Sequence, residues 1–331
     1  MSAQPVRSSP HIAIVGAGMA GLSCAQALAG AGMRVRLFDK GRGPGGRMST
    51  RRSNDWQCDH GAQYFTARDP AFRAEVARWQ AAGAAALWKA EVRRFDAGDA
   101  GACGELERFV GTPRMSAPAR LLATTLALDT GIAIDALTRD ARGWRLHASG
   151  PGFLDERYDA VVLALPAPQA EVLLRAPAPA QAALARAANM RPCWVLMLEY
   201  RAPPALGFDA AFVNQGPLRW IARDSAKPGR AGSESWVLHA SADWSEAYLE
   251  SDPQEVGAAL LAAFAQLGGL APEHWRAHRW RYASTEAASS LECSWDAGLG
   301  IGLCGDWLNG GTVEAAWLSG RALARRIAGI A

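Results

Sequence analysis

Lysine is nearly missing from this chain: of 35 basic residues only Lys40, Lys89 and Lys227 are lysines, a bias we read as base composition of the gene. Against 32 acidic residues the net charge is +3. So small a surplus excludes the electrostatic footprint of a nucleic-acid or anionic-membrane binder. No apolar run reaches the ~18 residues of a membrane span, and the polar opening MSAQPVRSSP lacks the apolar centre of a secretory signal. The six cysteines (Cys24, Cys58, Cys103, Cys193, Cys293 and Cys304) include no C-x-x-C pair and no metal-ligand spacing. A disulfide framework and a metal site are therefore not expected, and the chain reads as cytoplasmic and reduced. Nor does a repeat period emerge, or a Ser/His/Asp set or carboxylate pair that could carry hydrolytic chemistry.

What is present concentrates in residues 11–50. The apolar run Ile12-Ala13-Ile14-Val15 predicts a strand buried on both faces of a parallel sheet. Gly16-Ala-Gly18-Met19-Ala-Gly21 follows, with the G-x-G-x-x-G spacing of a dinucleotide-binding turn. Gly16 allows the tight turn, Gly18 lets backbone approach a pyrophosphate, and Gly21 lets helix pack on strand. An Ala-rich helix over 22–31 would aim its N-terminal N–H groups at phosphate. A second strand over 34–38 ends at Asp39, about 20 residues on, where an acid accepts hydrogen bonds from ribose hydroxyls. Arg42-Gly-Pro-Gly45-Gly46-Arg47-Met48-Ser-Thr50 then adds exposed backbone N–H groups and, in Arg47, a planar fork suited to phosphate. This stretch resembles the second FAD motif of amine-oxidase-like flavoenzymes, with one extra residue before the Gly pair.

Further along, the pattern predicts extended chain over 56–66 and a helix capped by Asp69-Pro70 with Phe72, Val76 and Trp79 on its apolar face. Strands follow over 87–95 and 107–110 around a Gly-rich loop at 98–104, then a helix over about 116–128, a hairpin over 132–148 and a buried parallel strand over 158–165. An Ala/Pro-rich helical stretch leads into consecutive strands at 193–200, 211–214, 218–222 and 236–241, a helix over 253–267 and a strand over 275–282. Short links between them suggest an antiparallel sheet. The chain closes with a strand over 300–304 ending at Gly305-Asp306, and a helix over 312–330 opened by Gly310-Gly311. Asp306, an acceptor only, suits ribityl or ribose hydroxyls. The helix start suits the electron-rich edge of a reduced flavin.

The expected fold is α/β: a discontinuous Rossmann domain of the glutathione-reductase FAD-binding type, with a second α+β substrate domain built on an antiparallel sheet. The expected boundaries are 1–70, 107–165 and 283–331 for the FAD domain, and 71–106 with 166–282 for the substrate domain.

Gly45-Gly46-Arg47-Met48-Ser49, Gly61-Ala62-Gln63-Tyr64-Phe65-Thr66, the Trp236 to Ala240 run with His239, His278-Arg279-Trp280, and Cys304-Gly305-Asp306-Trp307 with Glu314 to Gly320 together resemble the renalase family, above all its bacterial type. The likeness runs from about residue 11 to the C-terminus. His60 and Ala315 stand where that family usually has an apolar residue and a glycine. The resemblance implies a non-covalent FAD enzyme that oxidises misreduced 2- or 6-dihydro-NAD(P) to NAD(P)+, with O2 reduced to peroxide. It implies that Gly18, Met19, Asp39, Lys40, Arg42, Gly46, Arg47, Gly61, Ala62, Gln63, Tyr64, Asp306 and Val313 line the cofactor. Gly16, Gly21, Met48 and Leu137 complete that set, and His239, Gln63, Tyr64 and Trp307 are the candidate catalytic residues.

The bland readings run alongside. His239, mid-strand between apolar residues, reads equally as a satisfied core histidine until the resemblance is added. Most of the thirteen tryptophans read as core, Trp307 at a strand end being the exception. Arg223 and Lys227 read as a solvated loop, with phosphate binding the sharper alternative. Two other functions stay open. One is an amine-oxidase-type oxidase or desaturase, whose relatives often place a lysine near the flavin; none of the three lysines looks so placed. The other is a non-catalytic flavin-binding sensor. Without an Asp-Gly dipeptide a flavin hydroxylase is disfavoured.

Overall fold

The computed structural model describes residues 9–330 apart from 54, 97–98, 103–105 and 287–290. Most of the polar leader, Cys103 and parts of the expected 98–104 loop thus lie outside the described residues. The chain divides into two compact units: Met1–Gly46, Ala119–Asn189 and Ala287–Ala331 in one, Arg47–Pro118 and Met190–Glu286 in the other.

The first unit is built on a six-stranded sheet in the order Cys293–Asp296, Ile301–Cys304, Ala160–Leu163, His11–Val15, Arg34–Asp39, Ala127–Thr130. All neighbours are parallel except the antiparallel edge pair Cys293–Asp296/Ile301–Cys304. Its central strands are wholly buried, which explains their unbroken apolar sequence. The helix Met19–Gly30 lies against the closing helix Val313–Ala328, where Ser23 Oγ donates to the Trp317 carbonyl at 2.7 Å. Thr312 caps the closing helix through the Ala315 N–H, and Gly329 ends it at φ 66°.

The second unit holds a seven-stranded sheet: His274–Thr285, Met190–Tyr200, Glu234–Ala240, Leu218–Arg223, Ala210–Gln215, Val92–Asp96, Asp99–Ala102. It is antiparallel except where Ala210–Gln215 runs parallel to Val92–Asp96. Side-chain alternation separates its faces. One face carries Leu196, Leu198, Trp236, Leu238, Ile221 and Ala211, which pack with Val256, Leu260 and Phe264 of the helix Pro253–Ala265. The other carries Phe212, Trp220, His239 and Val195 in one row, cross-strand partners in register, ending at His278.

Elements of this kind were expected, but several boundaries differ. The stretch over 87–95 is two strands in different sheets, Ala85–Leu87 against Phe109–Gly111 and Val92–Asp96 in the large sheet. The helix expected to about 128 stops at Ala123, because Ala127–Thr130 turns into an edge strand against Arg34–Asp39. The 98–104 loop contains the strand Asp99–Ala102. Compact-unit boundaries also differ from those expected. Residues 47–70 and 107–118 pack with the second unit, while the helices Ala167–Leu174 and Pro179–Arg186 pack with the first. Long-range packing decides these memberships, and it is invisible to local composition.

Candidate cofactor and substrate site

In the first unit the G-x-G-x-x-G turn has the predicted geometry. Gly16 sits at φ 106° and its N–H donates to the Phe38 carbonyl at 2.8 Å. A Cβ on Gly21 would lie 2.0 Å from the Gly16 carbonyl oxygen, so only glycine permits the close packing. Nothing lies within 4 Å of a Cβ built on Gly18, so space is open above that residue. Gly18 is the N-cap of the Met19–Gly30 helix, and no side chain caps it. These are the features a pyrophosphate needs. Asp39 braces the turn: its carboxylate accepts from the Ala17 N–H at 2.7 Å and the Gly41 N–H at 2.6 Å. Each carboxylate oxygen keeps acceptor capacity for a ribose hydroxyl. Lys40, Arg42 and Gly46 are exposed, and Val313 begins the closing helix. Asp306 is buried at the end of its strand, and its carbonyl accepts from the Gly311 N–H at 2.9 Å. Leu137 is buried in a small three-stranded sheet, opposite Leu146.

Trp307 departs from its expected role. It is 2% exposed, its indole N–H donates to the Leu165 carbonyl at 3.1 Å, and a Cβ on Gly305 would meet that nitrogen at 2.7 Å. A ring closed in on this side is core, with no face to offer a substrate.

In the second unit, residues 60–65 run across the row described above. His60 stacks on Trp280 at 5.3 Å and meets His278 edge-on at 4.7 Å; Gln63 reaches His239; the Tyr64 ring lies 5.5 Å from Trp220. The segment is locked to the second FAD motif, since the Ala62 N–H donates to the Arg47 carbonyl at 2.9 Å. A Cβ on Gly61 would fall 1.8 Å from that same oxygen. Met48 is buried beside it in sequence, and Arg47 Nη1 donates to the Ala283 carbonyl at 3.1 Å.

Lys227, read from sequence as a loop cation, is fully buried. The correction has a simple cause: its ammonium is matched by carboxylates far away in sequence. Nζ donates to Asp224 Oδ1 at 2.6 Å, Asp59 Oδ2 at 3.2 Å and Gln63 Oε1 at 3.1 Å. Those bonds use all three ammonium donors. Arg230 adds a bond to Asp59 at 2.5 Å, and Thr50 Oγ1 another at 2.5 Å. Burial alone would raise the Asp59 carboxyl, but the charges of Lys227 and Arg230 outweigh it and hold it down to about 2. Asp224 is pushed upward, by burial and then by the charge of Asp59. Arg223 pairs instead with Glu234, so neither basic residue of that loop is free for phosphate.

This network fixes the orientation of Gln63 and, through it, of His239. Lysine only donates, so the Gln63 atom it meets is the amide oxygen. The amide nitrogen then faces the Asp59 carbonyl at 2.6 Å, the Gly61 carbonyl at 3.1 Å and His239 Nε2 at 3.3 Å. An amide nitrogen cannot accept, so Nε2 of His239 accepts and its proton sits on Nδ1. Burial, followed by the charge of Lys227, lowers the His239 pKa to about 3. Burial likewise holds His60 at about 3, helped by His278, and His278 at about 4, helped by Arg51. All three imidazoles are neutral at neutral pH. The unfolded chain protonates them near 6.5, so between there and about pH 3 it binds more protons than the folded protein. Stability therefore falls as pH drops below 6.5, His239 alone costing about 2 kcal/mol by about pH 5. Thermal melts of wild type and His239→Gln at pH 7 and 5 should show a smaller acid-induced drop for the variant; equal drops would remove His239 from this account.

Sequence reasoning missed Asp59, Asp224, Arg108 and Trp220. Asp59 immediately precedes the recognisable 60–66 stretch, and Trp220 could have been paired with His239 once the hairpin register was assumed. Nothing local marks Arg108 or Asp224.

Residues 14–79 match the model of the NAD(P)-binding Rossmann-like domain, and residues 81–328 match that of the flavin containing amine oxidoreductases. An L-amino acid oxidase of Crotalus durissus cumanensis is 51% identical over 57 residues, which are 17% of this chain and 11% of that protein. The chain therefore spans only about a tenth of that relative's length in the match. Among solved structures, cyclohexylamine oxidase from Brevibacterium oxydans IH-35A has a TM-score of 0.74 at 12% identity, covering 97% of this chain and 99% of that one. A redesigned putrescine oxidase has a TM-score of 0.74 at 13% identity, covering 96% and 98%. At these identities the likeness is one of fold.

Proposed function

Because the chain belongs to the flavin containing amine oxidoreductases, and is thus an FAD-dependent oxidoreductase, we propose that its substrate is a dihydronicotinamide dinucleotide misreduced at C2 or C6, in the manner of the renalases. Bound FAD supplies the hydride acceptor. The first unit serves as the nucleotide-binding part and the second as the substrate part.

One observation carries this reading. Among the described residues, no histidine on the aromatic face of the second unit is able to take a proton near neutral pH. Its histidines are held at about 3 to 4, Lys227 has spent its three donors, and Asp59 is ion-paired. An amine arrives as an ammonium and must lose a proton before it can lose hydride. A dihydropyridine needs only to lose hydride, leaving as a stable aromatic cation. Phe212, Trp220, Tyr64 and His239 supply flat or polar edges against which such a ring can be oriented, and His239 Nδ1–H can donate to its carboxamide. Its role is to hold the register of the ring, with no proton transfer assigned to it. The electron sink after hydride transfer is O2.

The test mixes oxidised holoenzyme anaerobically with 2-dihydro-NAD, 6-dihydro-NAD, NADH and a panel of primary amines, and follows flavin bleaching. One or both misreduced isomers should reduce the flavin fast and NADH, with its hydride at C4, slowly. Rapid bleaching by an amine and none by either isomer would transfer the protein to amine oxidation. Bleaching by nothing would make it a sensor.

A further inference from the structure

Arg108 is 7% exposed, yet among the described residues no carboxylate lies within ion-pairing distance of it. Its guanidinium has one hydrogen bond, from Nη1 to the Leu106 carbonyl at 3.3 Å, and its Nε has no partner. The charge lies over the Tyr64 ring, 5.3 Å from the centroid. Buried arginines are almost always paired, because leaving a guanidinium donor dry and unbonded costs more than a cation–π contact returns. A second orphan packs against the same Tyr64 ring. Trp220 is 5% exposed, its ring is 5.5 Å from that same Tyr64 ring, and its indole N–H also lacks a partner. Two buried donors, both against Tyr64 and neither satisfied, call for an acceptor the protein does not supply.

Their location gives the acceptor a purpose. Trp220 is the cross-strand partner of His239, and Tyr64 follows Gln63, which bonds His239. We propose that Arg108 and Trp220 Nε1 form an anion-docking point on the sheet face that carries His239, taking a phosphate or carboxylate oxygen of the substrate while its reacting ring lies toward His239. The assignment rests on the reading that this face receives the substrate. A planar guanidinium matches two oxygens of one anion, and the indole N–H against the same tyrosine adds a further donor. For a dihydronicotinamide dinucleotide the anion is a phosphate; for an amino acid it is the α-carboxylate. The docking point thus favours substrates carrying an anionic group and disfavours simple amines.

The experiment titrates holoenzyme, wild type, Arg108→Gln and Trp220→Phe, with NAD+, nicotinamide mononucleotide, nicotinamide riboside, L-leucine and isoamylamine. Binding is read from flavin difference spectra. Arg108→Gln should weaken nicotinamide mononucleotide and NAD+ by roughly 10- to 100-fold and leave the phosphate-free riboside unchanged. Trp220→Phe, which keeps a ring and removes the donor, should weaken the same two ligands less. Added salt should weaken these ligands in wild type and have little effect in Arg108→Gln. Should L-leucine, and neither nicotinamide nucleotide, bind in an Arg108-dependent way, the docking point stands and the dinucleotide substrate falls. Unchanged affinity for every anionic ligand in both variants would overturn the proposal and leave Arg108 as a structural cation stacked on Tyr64. If Arg108→Gln does not fold, the Trp220→Phe titration decides by the same criteria.

Discussion

Lys227→Met should lower the unfolding free energy by roughly 3–5 kcal/mol, the usual consequence of removing one partner from a buried ion pair. Asp59 and Asp224 have no exposure of their side chains, and Lys227 bonds both of them. Without it, Arg230 still reaches Asp59 at 2.5 Å but stands 3.9 Å from Asp224, whose Oδ2 is already unpartnered. Such a loss is a large part of the 5–15 kcal/mol typical of a whole domain. Urea unfolding monitored by tryptophan fluorescence will measure it, with Lys227→Met/Asp224→Asn as the second variant. Because removing charges of both signs restores balance, the double variant should recover part of the loss. A second effect belongs to the site. Gln63 loses the donor to its amide oxygen, so its amide keeps only the Asp59 and Gly61 carbonyls as anchors and holds His239 less firmly. Holoenzyme of the single variant should therefore reduce its flavin more slowly at saturating substrate. A stability change below 1 kcal/mol would mean that water reaches this network and that the burial described here is not its governing property.

The same lysine shows where sequence reading stops. The strand–Gly turn–helix–strand–Asp39 unit was legible because every part is local: the apolar run, the glycine spacing and the acid lie within about 30 residues. Its details follow in the structure, down to the Gly16 and Gly21 contacts. The helix at Pro70–Ala81 was legible for the same reason, with Asp69 accepting from the Ala71 and Phe72 N–H groups. The second unit was legible in kind but not in arrangement. Alternation gave strands, yet the parallel pairing of Val92–Asp96 with Ala210–Gln215 joins segments over 100 residues apart. The Lys227 cluster joins Asp59, Gln63, Asp224 and Arg230 through contacts up to 171 residues apart. A charge on a loop-like stretch looks solvated unless its partners are known. Trp307 erred in the opposite direction: position at a strand end suggested a pocket, but a neighbouring glycine and a carbonyl acceptor make it core. His239 and Gln63, in contrast, do meet as candidate residues of one site, because hairpin register and the 60–66 stretch bring them to one sheet face.

Arg47→Ala should purify as largely colourless apoprotein. Its place is over-determined by the backbone: its carbonyl accepts from the Ala62 N–H, its guanidinium donates to the Ala283 carbonyl, and the turn before it uses Gly46 at φ 54°. A guanidinium held in this way is pre-organised for a phosphate, so little freedom is lost when the cofactor binds. Truncating it leaves a dinucleotide anion short of a charge-assisted bond, at a cost of roughly 2–5 kcal/mol, or about 30- to 4,000-fold in FAD affinity. Arg47→Lys keeps the charge but loses the planar fork, and should fall between wild type and alanine. Flavin content per chain, measured after acid precipitation, tests both parts of the assignment. Wild type should release its FAD into the supernatant: the described cysteines are free thiols, Cys24, Cys58, Cys293 and Cys304 buried and Cys193 half-buried. Colour retained in the acid pellet would overturn the non-covalent assignment. Arg47→Ala that retains one FAD per chain at wild-type affinity would remove Arg47 from the cofactor site, leaving the Gly16 to Gly21 turn and Asp39 to carry recognition of the dinucleotide.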